Sequence, residues 1–253
     1  MNQVSQEPLD SAVRRRKFAR GRKNAADKCI RSVLFATRAA VARPLFLPFW
    51  LRYLAALALG LPGLVACEKA IPNYEFHLTR IDATGKELGE GANFAEHPWA
   101  CVRDEKTGLT WEVKTAAPGL HARENTYTWY STDETANMGY EGKREGGACT
   151  ASACNTEAFV AAVNAEKLCG YTDWRMPTTN EASSLVDASV RYPGPTIPEE
   201  FFPNTQNSKI GYWTATAFDK HADGAWAWRF DHGADFVALK DQPRYARAVR
   251  ANR

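Results

Sequence analysis

The stretch Gly170-Tyr-Thr-Asp-Trp-Arg-Met-Pro-Thr178 decides the reading of this chain. Gly170 can take the left-handed conformation that closes a helix, at no steric cost. Thr178 opens a second helix. Its hydroxyl caps the first turn, and Glu181, three residues on, completes a capping box. Between them Asp173, Trp174 and Arg175 set an aromatic ring between opposite charges. That arrangement reads as framework rather than catalytic machinery. The preceding helix is predicted over Asn155 to Leu168, with Asn155 as N-cap and Glu157 in the first turn. Its Phe159, Ala162 and Val163 share one face. The following helix is predicted from Thr179 to about Asp187, with Ala182, Leu185 and Val186 at the same spacing.

Strands lie on both sides. Phe76, Leu78 and Arg80 alternate with polar residues and run into the turn Asp82-Ala-Thr-Gly85. Val102 to Lys114 reads as a hairpin around Lys106-Thr-Gly108. Ser131 to Gly147 is a long polar loop, and Ala188 to Lys209, with four Pro, is irregular. Then the period becomes two. Trp226, Trp228 and Phe230 face one way, Asp231-His-Gly233 turns the chain, and Phe236 to Lys240 returns. Tyr245, Arg247 and Val249 alternate to the end, so Arg247 points inward and is expected to pair with a carboxylate. Helices in the middle and antiparallel strands at both ends make an α+β fold whose ends meet in one sheet.

The flanks carry further distinctive segments: Trp99-Ala-Cys-Val-Arg-Asp104, Thr107-Gly-Leu-Thr-Trp-Glu-Val-Lys114, Thr126-Tyr-Thr-Trp-Tyr130, Phe201-Phe-Pro-Asn204, Tyr212-Trp-Thr-Ala-Thr216 and Tyr245-Ala-Arg-Ala-Val-Arg250. With the central stretch, this set resembles the Lcl C-terminal domain family, named for a collagen-like bacterial adhesin, from about Phe76 to Arg250. The resemblance implies a fold similar to C-type lectins and formylglycine-generating enzymes: two helices packed on antiparallel strands with long loops. It implies a surface-binding role. It also makes Trp111, Asp173, Trp174, Arg175, Trp213 and Arg247 the structural framework. The enzyme branch of that fold uses a Cys pair near its C-terminus. Here the last Cys is Cys169, and Ala248 stands where many relatives have Cys.

Charge divides the chain. Residues 1–66 hold 12 Lys and Arg against 3 Asp and Glu; residues 67–253 hold 20 against 26. The halves are therefore +9 and −6, and the basic overall character belongs to the arm. A nucleic-acid role built on it fails. Tyr53 to Ala66 is apolar and 14 residues long, short of the roughly 20 needed to span a bilayer. Leu64-Val-Ala-Cys67 follows and looks like a lipobox, so Cys67 is the expected lipid attachment. The competing reading is a transmembrane helix from Leu45 to Ala66 that tolerates Arg52. A signal peptide runs to about 15–30 residues, so a start near Val41 is expected. Glu68 after the lipidated Cys favours the outer membrane. The domains are then 1–66 as arm and signal segment, 67–75 as tether, and 76–253 as the folded unit.

Four Cys remain in that unit, an even number that suits two disulfides in an oxidising compartment. Three pairings are open, and Cys149 with Cys154 and Cys101 with Cys169 is the preferred one. The short loop contributes about 2 kcal/mol and the long one about 4 kcal/mol by loop entropy. A zinc site fits poorly, since Cys149-x4-Cys154 stands without a second pair or a spaced His.

The remaining chemistry is sparse. Tyr127, Trp129 and Tyr130 could stack on sugar rings, but core packing is the stronger reading. His121, His221 and His232 lie in loops without a companion at triad spacing. Asp223, Asp231, Asp235 and Asp241 follow no calcium-loop pattern. No metal and no cofactor is expected. The ligand surface is placed on the irregular region after the second helix, with Arg191, Tyr192, Lys209, Lys220, His221 and Asp223. The reading is a non-enzymatic, lipid-anchored envelope domain binding glycans or another surface partner. A cell-envelope hydrolase using a loop His, or a purely structural envelope protein, is the alternative.

Overall fold

The computed structural model describes residues 75–252. The basic arm, the lipobox with Cys67 and the tether up to residue 74 lie outside the described residues.

Two antiparallel sheets carry the fold. The first runs in the order β2-β1-β3-β4-β8, with β1 at Leu78–Ile81, β2 at Glu87–Leu88, β3 at Cys101–Asp104, β4 at Leu109–Glu112 and β8 at Val249–Ala251. Both ends of the described chain therefore meet in one sheet. Gly108, at φ 69°, makes the β3–β4 turn, a conformation that costs glycine little. The second sheet runs β5 (Tyr212–Ala217), β6 (Gly224–Arg229), β7 (Ala234–Leu239).

Helix α1 spans Thr156–Glu166, and the Asn155 side chain accepts from the Ala158 N–H. It stops two residues short of the Leu168 expected from sequence, at Lys167 with φ 54°. Cys169 must turn into the core to reach Cys101, and that forces a tight 3-10 turn, Leu168–Gly170, in place of another α turn. Helix α2 spans Thr179–Ser184 with its capping box formed. It too is shorter than expected, because the Ser183 and Ser184 hydroxyls bond the carbonyls of Asn180 and Glu181, the competition that limits Ser in helices. The 170–178 stretch passes between two cores. Trp174 packs with Phe159, Val163 and Trp213. Ala182 and Leu185 pack with Trp111, Trp228 and Phe230. The Trp174 indole N–H donates to the Leu168 carbonyl at 3.1 Å.

Both disulfides form as expected: Cys101–Cys169 across 68 residues and Cys149–Cys154 across 5. Asp173 pairs with Arg250 at 2.7 Å, and Arg175 with Glu181 at 2.5 Å. The terminal region needs correction. Only Val249–Ala251 is strand; Tyr245 reaches β5 through a single parallel bridge to Tyr212. Arg247 is buried, but it donates to the backbone carbonyl of Glu112 and to the Thr205 hydroxyl, not to a carboxylate. The carboxylate it would have met is occupied. Glu112 Oε1 accepts from Lys114 at 2.8 Å and lies 2.7 Å from His121 Nδ1, and Oε2 accepts from the Ala248 N–H. His121 Nε2 reaches Glu166 at 3.0 Å.

This buried cluster sets a pH window. Burial alone pushes the Glu112 carboxyl up, but the Lys114 charge and the His121 contact outweigh it and hold it at about 2. Burial pushes His121 down, and its bond to Glu112 more than offsets that, so it sits above its ordinary 6.5. The Glu112 contribution is therefore complete above its ordinary 4.5 and is lost as pH falls towards about 2. The His121 contribution is complete below 6.5 and is lost as pH rises through its raised folded value. Thermal melts across pH should show greatest stability between these limits. A profile that stays flat from neutral pH down to pH 3 would remove the cluster from this account.

Candidate functional site

The sequence places six ligand-binding residues together; the structure divides them between the two ends of β6. Lys220, His221 and Asp223 sit in the β5–β6 turn, where the Gly224 N–H donates to the His221 carbonyl. Arg191, Tyr192 and Lys209 belong to the other end. Gly194 is bonded to Arg191 and packs against Phe230 and Asp231, and Asn207 donates to the Pro193 carbonyl. Six strand residues separate the groups, roughly 17 Å.

At the first end an aromatic patch forms. Phe218 meets Trp226 edge-on at 5.5 Å between centroids, and His221 lies 5.9 Å from Phe218. Trp226 pairs across the sheet with Val237, and Gly224 with Leu239. Val237 is 39 % and Leu239 46 % exposed, which makes this part of the sheet face open to solvent. Gly224 allows the patch to close. A Cβ there would stand 3.2 Å from Val237 Cγ1 and 3.3 Å from Phe218 Cβ. Asp219, Lys220, His221 and Asp223 supply exposed polar groups beside it. The period of two put Trp226, Trp228 and Phe230 on one face; it could not tell which stretch of that face is covered. Helix α2 covers the end holding Trp228 and Phe230, which are 6 % and 3 % exposed. Trp226 lies beyond it and is only half-buried.

The other candidates resolve as follows. Tyr127, Trp129 and Tyr130 are buried. Trp129 donates to the Thr214 carbonyl, and its ring face receives the Lys240 ammonium at 4.2 Å. That ammonium also donates to the carbonyls of Asn137 and Tyr140, both at 2.7 Å. Burial holds Lys240 down at about 8 against the charge of Asp223. A cleft of about 250 Å³ opens between α1 and the loop after Tyr130, floored by Trp129, Val160 and Met176. His121 belongs to the buried ion cluster. His232 Nδ1 lies 2.5 Å from Asp231, which also takes Arg229. Among the described residues, no group of His, Cys, Asp and Glu is arranged to hold a metal ion.

Two helices on antiparallel sheets, stapled twice by cystine, define a small α+β domain of the kind found in oxidising compartments. A family comparison goes further. Residues 100–250 match the model of the Lcl C-terminal domain, and the chain belongs to that family. A search of curated proteins and a search of solved structures each found no match.

Proposed function

We propose that this is a non-enzymatic binding domain of the cell envelope that holds glycans on the aromatic patch of β6. The single observation behind this is the half-buried Trp226, braced by Phe218 and flanked by the exposed Val237 and Leu239 on the second sheet. An aromatic plane accepts the C–H face of a sugar ring, while Lys220, His221 and Asp223 reach its hydroxyls. Family membership and the two disulfides support an envelope setting. The lipid anchor at Cys67 belongs to the same reading. Cys67→Ser is expected to block processing and abolish detergent partition.

The patch is tested on a glycan array with the purified protein. Trp226→Ala should weaken the strongest hit roughly tenfold, the scale of one aromatic contact, and leave the melting temperature within a few degrees. Lys220→Ala should weaken it less, and Arg191→Ala, at the far end of β6, should not change it. Full binding by Trp226→Ala would move the site elsewhere.

A further inference from the structure

The cleft beside α1 has a floor of Trp129, Val160, Met176 and Ala215 and a volume of about 250 Å³. One wall is the loop after Tyr130, through Ser131, Asp133 and Ala136. Three sets of bonds pin that loop. The Thr132 N–H and hydroxyl both donate to Glu157 Oε2 on α1. The Asn137 amide donates to the Ser131 carbonyl. The Lys240 ammonium, just past β7, donates to the Asn137 and Tyr140 carbonyls. A cleft whose walls are already ordered pays little conformational entropy when a ligand enters.

Charge at the opening is uneven. Arg175 lines the cleft, but both oxygens of Glu181 accept from its guanidinium. Asp133 and Glu157 line it too. Asp133 receives the Thr135 N–H and hydroxyl on Oδ1, and Glu157 receives Thr132 on Oε2. Asp133 Oδ2 and Glu157 Oε1 are left as acceptors at the rim. Arg144 feels the Glu157 charge, but its Nε donates to the Tyr130 hydroxyl. An apolar floor under a rim of surplus negative charge fits a ligand with an apolar body and a cationic head. An anion would be repelled by both carboxylates.

We propose that this cleft binds a small organic ammonium compound, its apolar body on the Trp129 and Met176 floor and its ammonium against Asp133 and Glu157. The cleft shares no lining residue with the β6 patch. Amine binding and glycan binding therefore succeed or fail separately.

The methionines give the readout. The chain has three, and Met138 and Met176 lie among the described residues. Met176 is on the cleft floor, whereas Met138 is 47 % exposed. The protein, with isotope-labelled methionine methyl groups, is titrated by NMR with phenethylamine, a cation at neutral pH. Phenethyl alcohol, of the same size and uncharged, is the control, and Met138→Leu assigns the signals. Phenethylamine should shift the Met176 signal along a saturable curve, in the millimolar range of so small a ligand. The alcohol should bind roughly tenfold more weakly, the scale of one charge-assisted hydrogen bond. Glu157→Gln keeps an acceptor for Thr132 and removes the charge. It should weaken the amine roughly tenfold and leave the melting temperature within a few degrees. Val160→Phe fills the floor and should abolish the shift with both carboxylates in place. A Met176 signal that stays still would overturn the site. So would equal affinity for amine and alcohol, or parental affinity in Glu157→Gln.

Discussion

Glu112→Ala is expected to cost about 3–5 kcal/mol, the range for removing one partner of a buried ion pair. The substitution strands Lys114, which is 2 % exposed and forms its salt bridge with Glu112. It also leaves His121 with only the exposed Glu166 and takes the acceptor from the Ala248 N–H. Glu112→Gln keeps the shape and one acceptor oxygen, and it should fall between the parent and the alanine variant. Urea unfolding at pH 6 measures both. A loss under 1 kcal/mol for Glu112→Ala would mean that the cluster is solvated in a way this geometry does not allow.

Trp174→Ala carries the other large effect, about 3–5 kcal/mol for truncating a buried aromatic to alanine. The ring is 2 % exposed among Phe159, Val163, Met176 and Trp213. Its backbone N–H and carbonyl are both held by the Asn164 side chain, at 2.8 and 2.9 Å. Loss of the ring therefore loosens the α1-to-α2 connection as well as the core. Glycan binding should fall only as far as the folded fraction falls. That is the reverse of Trp226→Ala, which should spare stability and lose binding. A stable Trp174→Ala protein that no longer binds would put the ligand on the framework stretch instead of on β6.

Much of this architecture was legible in the sequence where a local rule sufficed. The Thr178 to Glu181 capping box, the Asn155 cap and the Gly108 turn depend on neighbours a few residues apart, and all three form. The cystine pairing was legible because four thiols leave few arrangements. What failed was long-range. Arg247 was expected to meet a carboxylate, but Lys114 and His121 already fill Glu112, and no spacing rule joins positions 112, 121 and 247. His121 does lie in a loop, as read; what no spacing could show is that its partners come from β4 and the end of α1. The six ligand residues read as one surface because they fall in one irregular stretch. The fold runs that stretch past both ends of β6. Alternation identified the face that Trp226 shares with Trp228, but how far α2 covers that face is a tertiary matter.

The position of β8 has a consequence for the order in which the molecule can be completed. Trp111 on β4 lies opposite Val249, and Glu112 reaches the backbone of Ala248. Synthesis runs from the N-terminus, so nearly 140 residues must follow β4 before its partner exists. Until then β4 has an open edge and the Glu112 carboxylate lacks the Ala248 N–H. Pairings of such long sequence separation slow folding, and the pairing of β4 with β8 is one of them. The first sheet therefore closes only once β8 has been made, and a chain interrupted before β8 would keep β4 exposed as a strand edge open to association.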